Sequence, residues 1–150
     1  ILRGLVGSEM CIRDSYIDSP NTPSYPFGHG LSYTTFEYSD ISLSSNIIGE
    51  SDILSISVNI TNSGNYDGHE IVQLYIHDKV GSITRPVKEL KGFSKIFIKK
   101  GENKTVNFQL TCKDFKFFNG KDFIFEPGEF EVAIAGSSDF SFMHSFELKL

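Results

Sequence analysis

Tryptophan is absent from this chain of 150 residues, and cysteine nearly so, with only Cys11 and Cys112. Two cysteines roughly a hundred positions apart match no metal-ligand or redox spacing, so neither zinc nor a disulfide framework has support. Long apolar runs are also missing. No stretch approaches the ~18 residues of a membrane span, and the first fifteen residues carry Arg3, Glu9, Arg13 and Asp14 where a signal peptide needs an apolar run. Any export signal is expected upstream. Basic residues are outnumbered, 14 Lys and Arg against 19 Asp and Glu, for a net charge of -5. Binding to phosphate rests on clustered cations, so no nucleic acid and no membrane is expected as a partner. The one local run, Lys99 and Lys100 beside Gly101, reads as a solvated turn.

What is present is aromatic and strand-forming: 14 Phe and 6 Tyr, of the kind that fill half-buried pleated surfaces. A chain of this length buries roughly two-thirds of its unfolded surface, enough for one domain with a real core. The apolar period is two. Leu54, Ile56, Val58 and Ile60 alternate with Ile53, Ser55, Ser57 and Asn59. The same alternation sets Val72, Leu74 and Ile76 inward, then Val106, Phe108 and Leu110, then Phe130, Val132 and Ile134. Phe36 and Tyr38 share one parity and Ile41 and Leu43 the other, which predicts a bulge near Ser39 or Asp40. Phe93–Ile98 and Phe142–Leu150 complete about seven strands. Asn62-Ser63-Gly64, Asp67-Gly68, Lys100-Gly101, Asn119-Gly120 and Pro127-Gly128 mark the turns. The pattern predicts an all-β, antiparallel β-sandwich of immunoglobulin or fibronectin-III type, with no helix. Without the Cys and Trp hallmark of immunoglobulin domains, the fibronectin-III variant is favoured.

Three of the five prolines fall between Pro20 and Pro26, which predicts an extended linker before the first strand. The chain begins at Ile1, not Met, and residues 1–15 show neither period; they resemble translated adaptor sequence, the other reading being a frayed piece of a preceding domain. Cys11 therefore receives no role. The organisation expected is a non-native or disordered segment over 1–15, a linker and junction over 16–33, and the sandwich over 34–150.

Chemistry is sparse. Glycoside cleavage needs two carboxylates facing a sugar, and the available pairs, Asp67 with Glu70 and Glu129 with Glu131, fall at turns or on outward parity, where they are expected to be ordinary anions. His69 and His77 share a parity but lie eight residues apart, roughly 26 Å along a strand, too far for one metal. His144 falls on the inward set with Phe142, Phe146 and Leu148 and reads as a neutral histidine at the sandwich rim. The Ser63–Asp67 stretch lacks the first acid of a calcium loop and has Leu74 in place of its bidentate Glu. Gly28-His29-Gly30 opens like a dinucleotide fingerprint but has Tyr33 for the third glycine, so close packing is the better account of those glycines. No GxSxG and no P-loop lysine occurs. No catalytic residue, cofactor or metal is assigned. Two glycosylation triplets, Asn59-Ile60-Thr61 and Asn103-Lys104-Thr105, bear on the chain only in a secreting eukaryote.

Five ordered blocks carry a resemblance: YPFGHGLSYTTFEYS (25–39), VNITNSGNYDGHEIVQLYI (58–76), TRPVKELKGFSKI (84–96), KGENKTVNFQL (100–110) and EPGEFEVAIAGSS (126–138). Together they resemble the C-terminal end of family 3 glycoside hydrolases, the β-glucosidase and β-xylosidase family. His29 stands where the family often has Tyr, and Cys112 where it often has Pro. The resemblance implies a parent enzyme that removes terminal sugars from β-linked glycosides with retention. Its catalytic carboxylates would belong to a TIM barrel and an α/β domain upstream, so this chain would catalyse nothing by itself. It also implies a periplasmic or secreted location, and partners in the catalytic domains of the same polypeptide. Tyr25, Pro26, Phe27, Gly28, Gly30, Leu31 and Tyr33 would form the docking junction. The alternatives are a carbohydrate-binding module, with glycan contact through Tyr66 and Tyr75, and an adhesion sandwich.

Overall fold

The computed structural model of the chain describes residues 23–82, 86–141 and 144–149. The expectations for residues 1–15, Cys11, the linker from Tyr16 through Pro20 to Thr22, Phe142 and Leu150 lie outside these. Two-residue periodicity dictates the result: a strand with one apolar face needs a second sheet to cover it, and here two sheets close on each other. In chain order the strands are β1 (Phe36–Tyr38), β2 (Ser42–Leu43), β3 (Ile47–Ile48), β4 (Ile53–Asn62), β5 (Gly68–Asp78), β6 (Glu89–Ile98), β7 (Asn103–Thr111), β8 (Phe117–Phe118), β9 (Phe123–Ile124), β10 (Gly128–Ala135) and β11 (His144–Leu148). In one sheet β4 is central, with β1, β2 and β7 paired to it. The other sheet runs β3-β11-β10-β5-β6.

The seven expected strands are all present once β1 and β2 are seen as one strand broken by the predicted bulge. Tyr38 pairs with Ile60 and Ser42 with Ser57, so three residues on one side oppose two on the other. The hydroxyl of Ser39 takes the Asn59 N–H at 3.1 Å beside the extra residue. Three two-residue segments were not expected. β3 pairs parallel with β11, which departs from the all-antiparallel prediction, and β8 with β9 forms a small hairpin apart from both sheets. Among the described residues a single 3-10 turn, Cys112–Phe115, follows β7; the Asp114 carboxylate accepts from the Thr111 N–H at 2.7 Å and its hydroxyl at 2.8 Å. That turn drives Phe115 into the core.

Between the sheets lie the inward sets read from the sequence, Leu54, Ile56, Val58 and Ile60 against Val72, Leu74, Ile76, Val132 and Ile134, all buried. One end is closed by aromatics: Phe115 lies 5.0 Å from Phe130 and 5.6 Å from Phe146, and the Phe130 and Phe146 rings stack at 5.7 Å. On the edge strand β7, Lys104 reaches across the open side of the sandwich to the Phe97 carbonyl at 2.6 Å. A lysine at such an edge discourages pairing with another chain.

Candidate functional site

The junction segment lies against one end of the five-stranded sheet. Its first turn is closed by the His29 N–H donating to the Pro26 carbonyl at 3.0 Å. Gly28 occupies the third position of that turn with φ of 77°, where a side chain is disfavoured. Space forbids one as well, because a Cβ on Gly28 would sit 2.2 Å from the Gln73 side-chain oxygen. Close packing thus accounts for Gly28. It does not account for Gly30, around which nothing lies within 4 Å.

Two backbone contacts pin the segment. The Ser138 N–H donates to the Phe27 carbonyl at 2.8 Å, and Nε2 of Gln73 donates to the Gly28 carbonyl at 3.3 Å. Farther along, the Thr34 hydroxyl donates to Oδ1 of the buried Asn62 at 2.5 Å. A Cβ on Gly64 would meet the Thr35 nitrogen at 2.5 Å, so the strap at 34–35 runs in direct contact with the β4–β5 turn.

Of the expected docking residues, Tyr25 is 75% exposed, Phe27 66%, Leu31 94% and Tyr33 96%, while Pro26 is half-buried. The sandwich positions their backbone and leaves these four side chains uncovered. Beneath them a groove of about 400 Å³ opens between Gly28–Ser32, His69–Ile71 and the turn at Ala135–Ser137. Glu70 lines it, and its carboxylate accepts the Tyr38 hydroxyl at 2.6 Å. Burial raises the Glu70 pKa above its ordinary value, although the Tyr38 bond opposes the rise. Burial also raises the Tyr38 pKa, and the Glu70 carboxylate adds to that.

Several residues depart from expectation. Glu70 is not an outward, ordinary anion; it turns inward to the opposite sheet. Glu129 is not ordinary either, since its bond to Lys79 at 2.8 Å holds its carboxyl below the usual range. Lys79 also lies 3.7 Å from Glu131, and Asp67 accepts from the Lys100 N–H at 2.8 Å. The acids singled out as candidate pairs are thus bound to neighbours across the fold. Tyr75 cannot present a ring to a sugar: it is 1% exposed, with Phe140 at 5.0 Å over it and its hydroxyl donating to Oε1 of Gln73 at 2.6 Å. Tyr66 is exposed. His69 packs against Phe97 with the rings tilted at 52° and their centres 4.9 Å apart. No group of three or more His, Cys, Asp or Glu able to hold a metal ion occurs among the described residues. Gln73 was missed in the sequence because its parity points outward; only the loops folded over it make it a buried anchor.

Residues 70–138 match the family model of the fibronectin type III-like domain. The chain is 50% identical over 118 residues to the thermostable β-glucosidase B of Acetivibrio thermocellus, covering 77% of this chain and 16% of that protein. It is 46% identical over 134 residues to the periplasmic β-glucosidase of Salmonella typhimurium, covering 89% of this chain and 18% of that one. Among solved structures, the β-glucosidase of Listeria innocua in complex with gluconolactone superposes with a TM-score of 0.82 at 39% identity, over 90% of this chain and 19% of that one. The chain therefore spans less than a fifth of the length of each of these relatives.

Proposed function

We propose that this chain, a C-terminal fibronectin type III-like domain of the family 3 glycoside hydrolases, docks onto the catalytic domains of a β-glucosidase-like enzyme and stabilises them. In this reading residues 16–33 are the junction and 34–150 the sandwich. The parent cleaves β-linked glycosides with carboxylates outside this chain, and the sandwich contributes surface, not chemistry.

One observation carries the reading. Tyr25, Phe27, Leu31 and Tyr33 leave large apolar side chains uncovered on a backbone that is itself hydrogen-bonded to the sandwich. A flexible linker has no need of either feature, whereas a docking element needs both, because covering apolar area drives association and a held backbone lowers its entropic cost. A glycan-binding reading has one exposed ring to rest on among the two tyrosines considered, Tyr66, since Tyr75 is covered.

The test compares the aggregation of the whole chain with that of a shorter chain starting at Thr34, by light scattering over a concentration series. Exposed docking residues predict that the whole chain associates at lower concentration. Equal behaviour of the two would sink the docking reading.

A further inference from the structure

Gln73 lies in the middle of β5, flanked on both sides by paired strands, and its parity directs it to the outer face of the sheet. Outer faces are solvated, yet Gln73 is 4% exposed. Its polar atoms are all engaged. Nε2 donates to the Gly136 carbonyl at 2.7 Å as well as to that of Gly28, and Oε1 accepts the Tyr75 hydroxyl. The amide thus joins two segments far apart in the chain, the junction and the turn that follows β10.

That turn is held from its other side by Lys88. Its Nζ donates to the carbonyls of Ser138 at 2.6 Å and Phe140 at 2.8 Å, and lies 4.2 Å from the centre of the Phe140 ring. Ser138 is the residue whose N–H grips Phe27. The two anchors of the junction therefore trace back to two side chains: Phe27 through Ser138 to Lys88, and Gly28 directly to Gln73. Phe140 connects them, packed between the ammonium and the tilted ring of Tyr75.

We propose that Gln73 and Lys88 are positioning residues that latch Phe27 and Gly28 onto the sandwich, fixing the direction from which the upstream polypeptide meets it. The inference rests on the docking reading for its purpose, but not for its test. The latch makes the junction part of the folded sandwich, so that Phe27 and Leu31 are presented from a fixed backbone to the catalytic domains.

Chymotrypsin reads the latch in the 150-residue chain, because the bonds after Phe27 and Leu31 lie in the junction and the bond after Tyr66 lies in the β4–β5 turn as an internal reference. Gln73→Glu keeps the shape and the acceptor for Tyr75 but removes both donors. Lys88→Met removes the ammonium, and Lys88→Arg restores a donor cation. The expected result is that Gln73→Glu and Lys88→Met each raise junction cleavage about tenfold relative to cleavage after Tyr66, the scale of one or two hydrogen bonds lost to local opening. Lys88→Arg should stay near the wild type. An unchanged ratio, or cleavage that rises in parallel at both places with a lowered unfolding midpoint, would overturn the latch. Should Gln73→Glu fail to fold, the Lys88 pair decides alone. A latch that holds while the Thr34-start chain aggregates as readily as the whole chain would sink docking and leave the latch standing.

Discussion

The hydroxyl of Thr34 meets Oδ1 of Asn62 at 2.5 Å, at a position where Asn62 is completely buried. The same oxygen accepts the Gly64 N–H at 3.1 Å, and Nδ2 donates to the carbonyls of Tyr66 at 2.8 Å and Ile98 at 3.0 Å. One amide therefore ties the start of the sandwich, the β4–β5 turn and the end of β6. Asn62→Ala would strand the buried Ile98 carbonyl together with the part-buried Tyr66 carbonyl, Gly64 N–H and Thr34 hydroxyl, at a cost of about 3 kcal/mol. Thr34→Val removes a single partner and should cost about 1 kcal/mol. Urea unfolding of the two variants checks the order; an Asn62→Ala effect no larger than that of Thr34→Val would show that the network contributes little.

Aromatic packing at the closed end gives a second expectation. Phe130 is buried against Phe115 and Phe146, so Phe130→Ala leaves a cavity in a place where the two sheets and the 3-10 turn constrain collapse. A loss of about 3 to 5 kcal/mol follows. Phe123→Ala, on the small hairpin where the ring is exposed, should cost under about 1 kcal/mol. Equal losses would mean that the hairpin bears as much of the packing as the sandwich end.

The inward sets of β4, β5, β7 and β10 were legible because a buried strand leaves a two-residue period, and the bulge was legible because parity switches between Tyr38 and Ile41. What escaped was set by contacts distant in sequence. Gln73 and Tyr75 share the outward parity of β5 with Ile71, yet the first two are covered and Ile71 is exposed, and the junction at Gly28 and the turn after β10 make the difference. Glu70 shares the inward parity of Val72 and Leu74, but beside the Asp67-Gly68 turn it looked like a surface acid, and nothing local reveals Tyr38, which arrives from the other sheet. β3 escaped because two residues carry no period. The exposed junction could be named from the family resemblance, whereas its two anchors could not, since both end on backbone carbonyls, which no residue type marks.

Glycine substitutions separate packing from open space. At Gly64 an added Cβ would lie 2.2 Å from the Thr34 hydroxyl oxygen and 2.5 Å from a backbone nitrogen, so the strap must shift. Gly64→Ala should destabilise the chain by about 1 to 3 kcal/mol, the range for overpacking. Gly30→Ala meets nothing and should leave the thermal midpoint of the chain unchanged within error. A midpoint lowered equally by both would contradict the close approach of the strap at 34–35.

Glu70 supplies a pH dependence whose sign follows from its surroundings. Burial raises its folded-state pKa above the ordinary 4.5, so the folded chain holds this proton more tightly than the unfolded chain does. The contribution to stability is then fully present below the ordinary value and is lost as the pH rises through the raised one. Glu70→Gln keeps an acceptor for the Tyr38 hydroxyl and cannot ionise. Relative to the wild type, this variant should gain stability near neutral pH and show little gain near pH 4, where wild-type Glu70 is itself largely neutral. His29, His69 and Asp139 share the groove, and Lys79 with Glu129 titrates on the same sheet with the opposite sign. Those groups are common to both proteins and cancel in the difference to first order, which is why the comparison is made between variant and wild type and not along one profile. Urea midpoints at the two pH values measure it. A gap of the same size at both would show that the Glu70 carboxyl titrates alike in the folded and unfolded chain, and that its bond to Tyr38 offsets its burial.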